Sequence, residues 1–96
     1  MTHEINNLSF SPAPEATASF NDDGVVILHT GKGRLFRSNR TGAQIWRGIE
    51  QQLPVEVIVQ QLSGEYQIAL NAAREHTAGF LVQLQRHELV AREVRQ

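Results

Sequence analysis

The spacing of apolar residues changes period along this chain, and the change separates a strand-forming half from a helix-forming half. Up to residue 15 the sequence is polar, broken by Pro12 and Pro14, with only Leu8 and Phe10 as apolar anchors, which predicts an extended N-terminal arm over 1–15. A strand is expected from near Ala16 to Phe20. Asn21-Asp22-Asp23-Gly24 follows, whose side chains and glycine suit a tight reversal. Val25, Val26, Ile27 and Leu28 form a run that can be buried on both faces, and His29-Thr30-Gly31-Lys32-Gly33 supplies a second turn. Arg34 to Ser38 returns as a third strand. Alternation puts Leu35 and Arg37 on one face and Arg34, Phe36 and Ser38 on the other, a pattern poor enough in apolar residues to read as a sheet edge.

After Asn39 the period becomes helical. Ile45, Trp46, Ile49 and Leu53 recur at helix spacing, with Asn39 or Thr41 able to cap the first turn. Pro54 fits the first position of a second helix with the stripe Val55, Ile58, Val59 and Leu62, and Gly64 fits its left-handed end. Tyr66 and Ile68 are expected to tuck a connecting loop onto the core. Ala73, Thr77, Phe80, Leu81 and Leu84 then mark a third, longer amphipathic helix. Leu89 and Val90 close the core, and the charged residues 91–96 are expected to form a frayed tail. The predicted class is α+β: a three-stranded antiparallel meander followed by a three-helix bundle, winged-helix-like in its elements, over residues 16–90.

Composition narrows what such a domain can do. Ninety-six residues make one domain with a single modest core. A formal charge of -1 gives no general electrostatic reason to bind a polyanion, so nucleic acid is not the expected partner. The sequence has no cysteine, which excludes disulfides, thiolate nucleophiles and cysteine-ligated metal centres within it. No apolar run approaches the length of a membrane span, and residues 1–7 lack the character of a signal peptide, so a cytoplasmic protein without a membrane partner is expected.

Candidate chemistry is sparse. His76 and His87 fall on one side of the third helix, but backbones roughly 16 Å apart cannot share one ion, and Glu75-His76 lacks the second histidine of a zinc protease helix. Gly31-Lys32-Gly33 lacks the spacing and the Lys-Ser/Thr ending of a phosphate loop. No serine sits in a nucleophile-elbow context. Asp22 and Asp23 read as turn residues and Trp46 as core. The expectation is a protein without catalytic residues, metal or cofactor.

What remains is a surface. An unpaired edge at Arg34, Leu35, Phe36, Arg37 and Ser38 offers backbone donors and acceptors to an incoming extended peptide, with specificity from pockets between strand and helix. On the wheel of the third helix, His76, Phe80 and Gln83 flank the buried stripe on one side. Arg74, Ala78, Leu81 and Gln85 flank it on the other, and the wheel leaves open which flank faces the strand. The plainer reading is an edge guarded by its own arginines that binds nothing.

The stretch Leu35-Phe36-Arg37-Ser38-Asn39-Arg40-Thr41-Gly42-Ala43-Gln44-Ile45-Trp46 resembles the PqqD family's pattern of a strand end, a Thr-Gly-Ala step and an Ile-Trp on the first helix. Pro54-Val55-Glu56-Val57-Ile58 is similar to that family's second-helix entry. Phe80 to Leu84 with Glu88-Leu89-Val90 is similar to its closing pattern, so the resemblance runs from about Val25 to Val90. It implies a peptide chaperone, or precursor peptide recognition element, that carries no catalytic residues. Such a domain binds a leader peptide as a strand added to the third strand, with leader side chains entering the groove beside the third helix. Its partners would be the precursor peptide and a maturation enzyme, such as a lasso-peptide leader peptidase with its cyclase or a radical SAM enzyme. Self-association into a homodimer stays open. The chain departs from the family pattern at Ser38 (usually leucine), His76 (often acidic), Thr77 (commonly valine) and Glu88 (usually glycine).

The alternative from a different class is a winged-helix DNA-binding regulator. Against it, Arg74, Arg86, Arg92 and Arg95 are offset by Glu75, Glu88 and Glu93, which leaves no basic stripe for phosphates.

Overall fold

The computed structural model describes residues 8–94. Its elements are β1 (Leu8–Pro12), β2 (Ala16–Asn21), β3 (Gly24–His29), β4 (Arg34–Ser38), α1 (Arg40–Glu50), α2 (Val55–Tyr66), α3 (Leu70–Arg86) and β5 (Val90–Val94). β2, β3 and β4 form an antiparallel meander in that order, with α1, α2 and α3 following, which is the expected α+β class.

The first hairpin closes as its sequence demands. The Asn21 side chain accepts from the N–H groups of Asp23 and Gly24 at 2.8 and 2.9 Å, an Asx turn that reverses β2 into β3. Gly24 has a φ of +150°, and a Cβ there would lie 2.0 Å from the Ser38 carbonyl oxygen, so only glycine fits beneath the end of β4. Val25 and Ile27 of β3 are fully buried and face the helices.

The helices bury the stripes that their spacing predicts. Asn39, rather than Thr41, caps α1, its side chain accepting from the Gly42 N–H at 3.0 Å. Ile45, Trp46 and Ile49 of α1 are buried, and the Trp46 indole N–H donates to the Glu50 carboxylate at 2.9 Å. Ile58, Val59 and Leu62 of α2 and Ala73, Leu81 and Leu84 of α3 complete the same core. Thr77 is buried too, and its hydroxyl donates to the Ala73 carbonyl one turn back at 2.8 Å, so no polar group is stranded there.

Four expectations need correction. The expected extended arm contains a paired strand over Leu8–Pro12, and 91–94 of the expected frayed tail belong to a strand too: β1 and β5 pair antiparallel, with Leu8 opposite Val94 and Pro12 opposite Val90. Buried Phe10 and Leu89 anchor this small sheet to the core, and the Ala13 N–H donates to the Leu89 carbonyl at 2.8 Å. The remainder of the expected arm and tail, residues 1–7 and 95–96, lies outside the described residues. Next, α2 does not end at Gly64. It runs to Tyr66, and Gln67 takes the left-handed conformation with a φ of 55°. The Ser63 hydroxyl donates to the Ile68 carbonyl at 2.6 Å while the Ser63 carbonyl accepts from Gln67 and Ile68, which fixes the stop there. Tyr66 therefore ends a helix and is exposed, and only Ile68 packs against the core.

A similar left-handed residue, Glu88 with a φ of 59°, follows α3. Its carboxylate accepts from the Lys32 ammonium at 2.7 Å, which ties the β3–β4 turn to the end of the helix. That hydrogen bond, with the charge of Lys32, holds the Glu88 carboxyl below its ordinary value. The sign follows: a depressed carboxylate contributes stability above its unfolded pKa and loses it as pH falls through the folded one. Because the pair is exposed, its contribution is small. A carboxyl titration followed by NMR will show Glu88 protonating below the usual glutamate range, and Lys32→Met will return it toward that range. An unchanged titration would remove the pair from solution.

Backbone strain gives a second measurable consequence. Gln67→Gly relieves an unfavourable left-handed side chain and raises stability by about 0.5–1 kcal/mol in chemical denaturation. Gly24→Ala, which drives a methyl group into the β4 backbone, lowers it by more than about 1 kcal/mol.

Candidate functional site

Hydrogen-bond parity decides which backbone groups of the meander are free. The Thr30 N–H donates to the Glu15 carbonyl at 2.8 Å, so this pair bonds across the β2–β3 ladder. Successive residues of an antiparallel strand turn their polar groups to opposite sides, so Gly24, Val26 and Leu28 also face β2, and Val25, Ile27 and His29 face β4. Their partners on β4 are Ser38, Phe36 and Arg34. Leu35 and Arg37 consequently direct their N–H and C=O groups outward, and among the described residues β4 ends the sheet. The N-terminal strand does not occupy this rim, since β1 pairs with β5.

Side chains alternate with the same period. Leu35, 57% exposed, and Arg37 stand on the open face, while Phe36 and Ser38 are half-buried on the helix face. The Phe36 ring packs between Phe80, with centroids 5.8 Å apart, and His87 at 5.0 Å. Beside this aromatic group opens a cleft of about 340 Å³. Ser38 borders it from β4, Asn39, Thr41, Gly42 and Ile45 from the start of α1, and Glu75, His76, Gly79, Phe80 and Gln83 from α3. A Cβ on Gly42 would come within 2.0 Å of the Ser38 hydroxyl and 2.9 Å of the Phe80 ring, so that glycine keeps the cleft open. Its floor is apolar and its rim carries hydroxyl, amide, imidazole and carboxylate groups.

The structure resolves the choice between the flanks of α3. His76, Phe80 and Gln83 line the cleft with Ser38. On the other flank Arg74 bonds Glu56 of α2 at 2.7 Å, Leu81 is buried in the core, and Ala78 is exposed without lining the cleft. Arg34, Leu35 and Arg37 are exposed along β4, with Arg34 paired to His29 in the ladder. Sequence reasoning missed the contribution of α1 and also Glu75, Gly79 and His87. The cap at Asn39 was the available signal, because it brings the first turn of α1 directly against the end of β4.

Elsewhere the chemistry is sparse. Among the described residues no group of three or more His, Asp or Glu side chains is placed to hold a metal ion. His29 is buried, but its Nδ1 accepts from the Lys32 N–H at 3.1 Å and its Nε2 lies 3.6 Å from the Glu15 carboxylate, a structural tie at the base of the second hairpin. No described helix is long and apolar enough to cross a membrane.

Comparison with known proteins converges on one family. The profile described as coenzyme PQQ synthesis protein D (PqqD) matches residues 24–90. Among curated proteins none matches the chain significantly. A solved structure described as TbiB1 in complex with the TbiA(beta) leader peptide is 28% identical, with a TM-score of 0.77 over 83% of this chain and 93% of that one. A lasso peptide synthetase B1 complexed with the leader peptide shares the fold at a TM-score of 0.77 and 23% identity, over 85% of this chain and 96% of that one. The family profile takes in β3, β4 and all three helices, the elements that build the rim and the cleft, and the chain belongs to the PqqD family.

Proposed function

We propose that this protein binds the leader segment of a ribosomally made precursor peptide and delivers it to a separate maturation enzyme, with no chemistry of its own. The observation that carries this reading is the outer backbone of Leu35 and Arg37, which no described strand pairs and which runs beside the cleft between β4 and α3. An extended peptide adds there as a fourth strand. Its main chain bonds Leu35 and Arg37, and alternate side chains turn inward toward Ser38, His76, Phe80 and Gln83. TbiB1, similar over most of this chain, is itself a leader-peptide complex, which supports the same role here. The partner enzyme would be of the kind that cuts a leader from a lasso precursor or modifies the core by radical chemistry.

A bare ladder would accept any extended sequence, so the cleft must supply the preference. It pairs an apolar floor with a polar rim, and a leader side chain that fills it releases water from Ile45 and Phe80. The arginines of β4 add a preference for acidic neighbours on the open side of the leader, weakened by salt.

The reading is tested with the leader peptide encoded beside this protein, titrated into labelled protein. The amides of Leu35 and Arg37 will gain protection from exchange on binding, whereas that of Phe36 is protected beforehand. Perturbation confined to α2 would sink the pose. Leu35→Pro removes an outward donor without breaking the bonds to β3. Loss of one backbone bond of about 1–1.5 kcal/mol corresponds to roughly tenfold weaker binding. Gly42→Ala, which crowds Ser38 and Phe80, will weaken it at least as much. Retained affinity in folded variants of both would exclude the rim and cleft as the leader site.

A further inference from the structure

Across α1 from the leader cleft lies a second cavity, of about 270 Å³, between that helix and the β2–β3 turn. Thr41, Gly42 and Ile45 of α1 border the cleft, Arg40, Gln44 and Arg47 border this cavity, and no residue borders both. Arg40 and Arg47 are seven residues apart, which places them on one face of the helix, two turns and roughly 10 Å from each other. Both are exposed, and both are held in place. The Arg40 Nε–H donates to the Asp22 carbonyl at 2.8 Å, and the Arg47 guanidinium lies over the Phe20 ring, 3.9 Å from its centroid. Each contact leaves the terminal N–H groups of the guanidinium open. Arg74 has Glu56 as its counter-ion, whereas neither Arg40 nor Arg47 forms an ion pair with a described carboxylate.

We propose that this cavity is a docking site for an acidic segment of the maturation enzyme, occupied while the leader lies on β4. The identity of the partner rests on the leader-delivery reading, and its chemistry rests on the two arginines. A guanidinium held by one edge or one face presents its remaining N–H groups as a fixed fork, which matches a carboxylate and loses little freedom on binding. Gln44 and Tyr66 add neutral hydrogen-bonding groups to the same cavity. Asp22 borders it as well and disfavours a compact anion of several charges such as phosphate, whereas single carboxylates carried on one chain reach the two guanidiniums separately. A polypeptide also finds a main-chain partner there. By the parity that frees Leu35 and Arg37, the N–H and C=O of Phe20 turn out from the sheet, and no described strand takes them. Because α1 stands between the two sites, an enzyme seated on the arginines leaves the β4 rim and its cleft to the leader, as delivery requires.

The test measures binding of the maturation enzyme encoded beside this protein, without leader peptide, to the wild type and to two double variants. Arg40→Gln with Arg47→Gln will weaken binding at least about tenfold, and Arg40→Glu with Arg47→Glu will weaken it further. Added salt will lower the wild-type affinity more steeply than that of the glutamine variant. Unfolding midpoints and leader affinities close to wild type in both variants will separate the docking site from the fold and from the β4 rim. An enzyme that binds all three proteins alike, or binds none of them, overturns the proposal, as does a leader affinity that falls in step with that for the enzyme. A saturable shift of the Arg40 and Arg47 side-chain NMR signals by inorganic phosphate alone, at constant ionic strength, also overturns it, because the cavity would then be a site for a free anion. The two readings fail separately. If the enzyme binds through the arginines and the leader does not bind, the leader reading falls and the docking site stands; if the leader binds β4 and the enzyme ignores the arginines, only the docking site falls.

Discussion

A backbone amide in a strand can serve one neighbour only, and the placement of β3 between β2 and β4 makes that constraint govern the molecule. β3 satisfies its polar groups on both sides, which allows Val25 and Ile27 to be fully buried beneath the helices. Among the described residues no strand pairs with the outer sides of β2 and β4, which leaves the groups of β4 there to solvent or to an added strand. A strand added to β4 would exchange solvent bonds for protein bonds, a net gain of about 0.5–1.5 kcal/mol each. Such a gain fixes direction and register but not sequence. The selective part of recognition therefore lies in the cleft behind the rim, where apolar surface and a fixed polar border can distinguish one side chain from another.

The cleft depends on the corner where β4 becomes α1. Gly24 lies under the Ser38 carbonyl, Asn39 caps the helix, and Gly42 passes against the Ser38 side chain and the Phe80 ring. None of these contacts is strong, yet together they set how close α1 comes to β4 and α3. Gly48, where a Cβ would lie 2.7 Å from Ile58, sets the crossing of α1 over α2 in the same way. With both approaches fixed, α3 is held so that Thr77 and Leu84 point into the core and His76 and Gln83 toward the strand edge. Recognition geometry is thus a by-product of core packing.

Which features were legible in the sequence follows from how local their causes are. The Asn21 turn, the burial of β3 and the stripes of the three helices each arise from residues within one or two turns of each other, and periodicity finds them. The pairing of β1 with β5 joins the two ends of the chain, and its strands carry Pro12, Arg92 and Glu93 in place of a clean alternation, so no local signal marks it. The end of α2 was misplaced because Gly64 offers the better left-handed residue, and the bonds of Ser63 to the backbone at Gln67 and Ile68 outweigh that preference. The family pattern's glycine at Glu88 has a physical reading once the φ of 59° is known: the position is left-handed, and here the Lys32 pair holds a glutamate in it. The flank of α3 that meets β4 could not be read from a helical wheel, because the rotation of that helix is set by tertiary contacts such as Arg74 with Glu56.

The two edges of the meander also differ in what they exclude. Arg34 and Arg37 make β4 a poor partner for a second β4 but leave it open to a peptide of neutral or acidic character. β2 lacks such a guard and borders a smaller, more polar cavity of about 270 Å³, where the Arg47 guanidinium lies over the Phe20 ring at 3.9 Å.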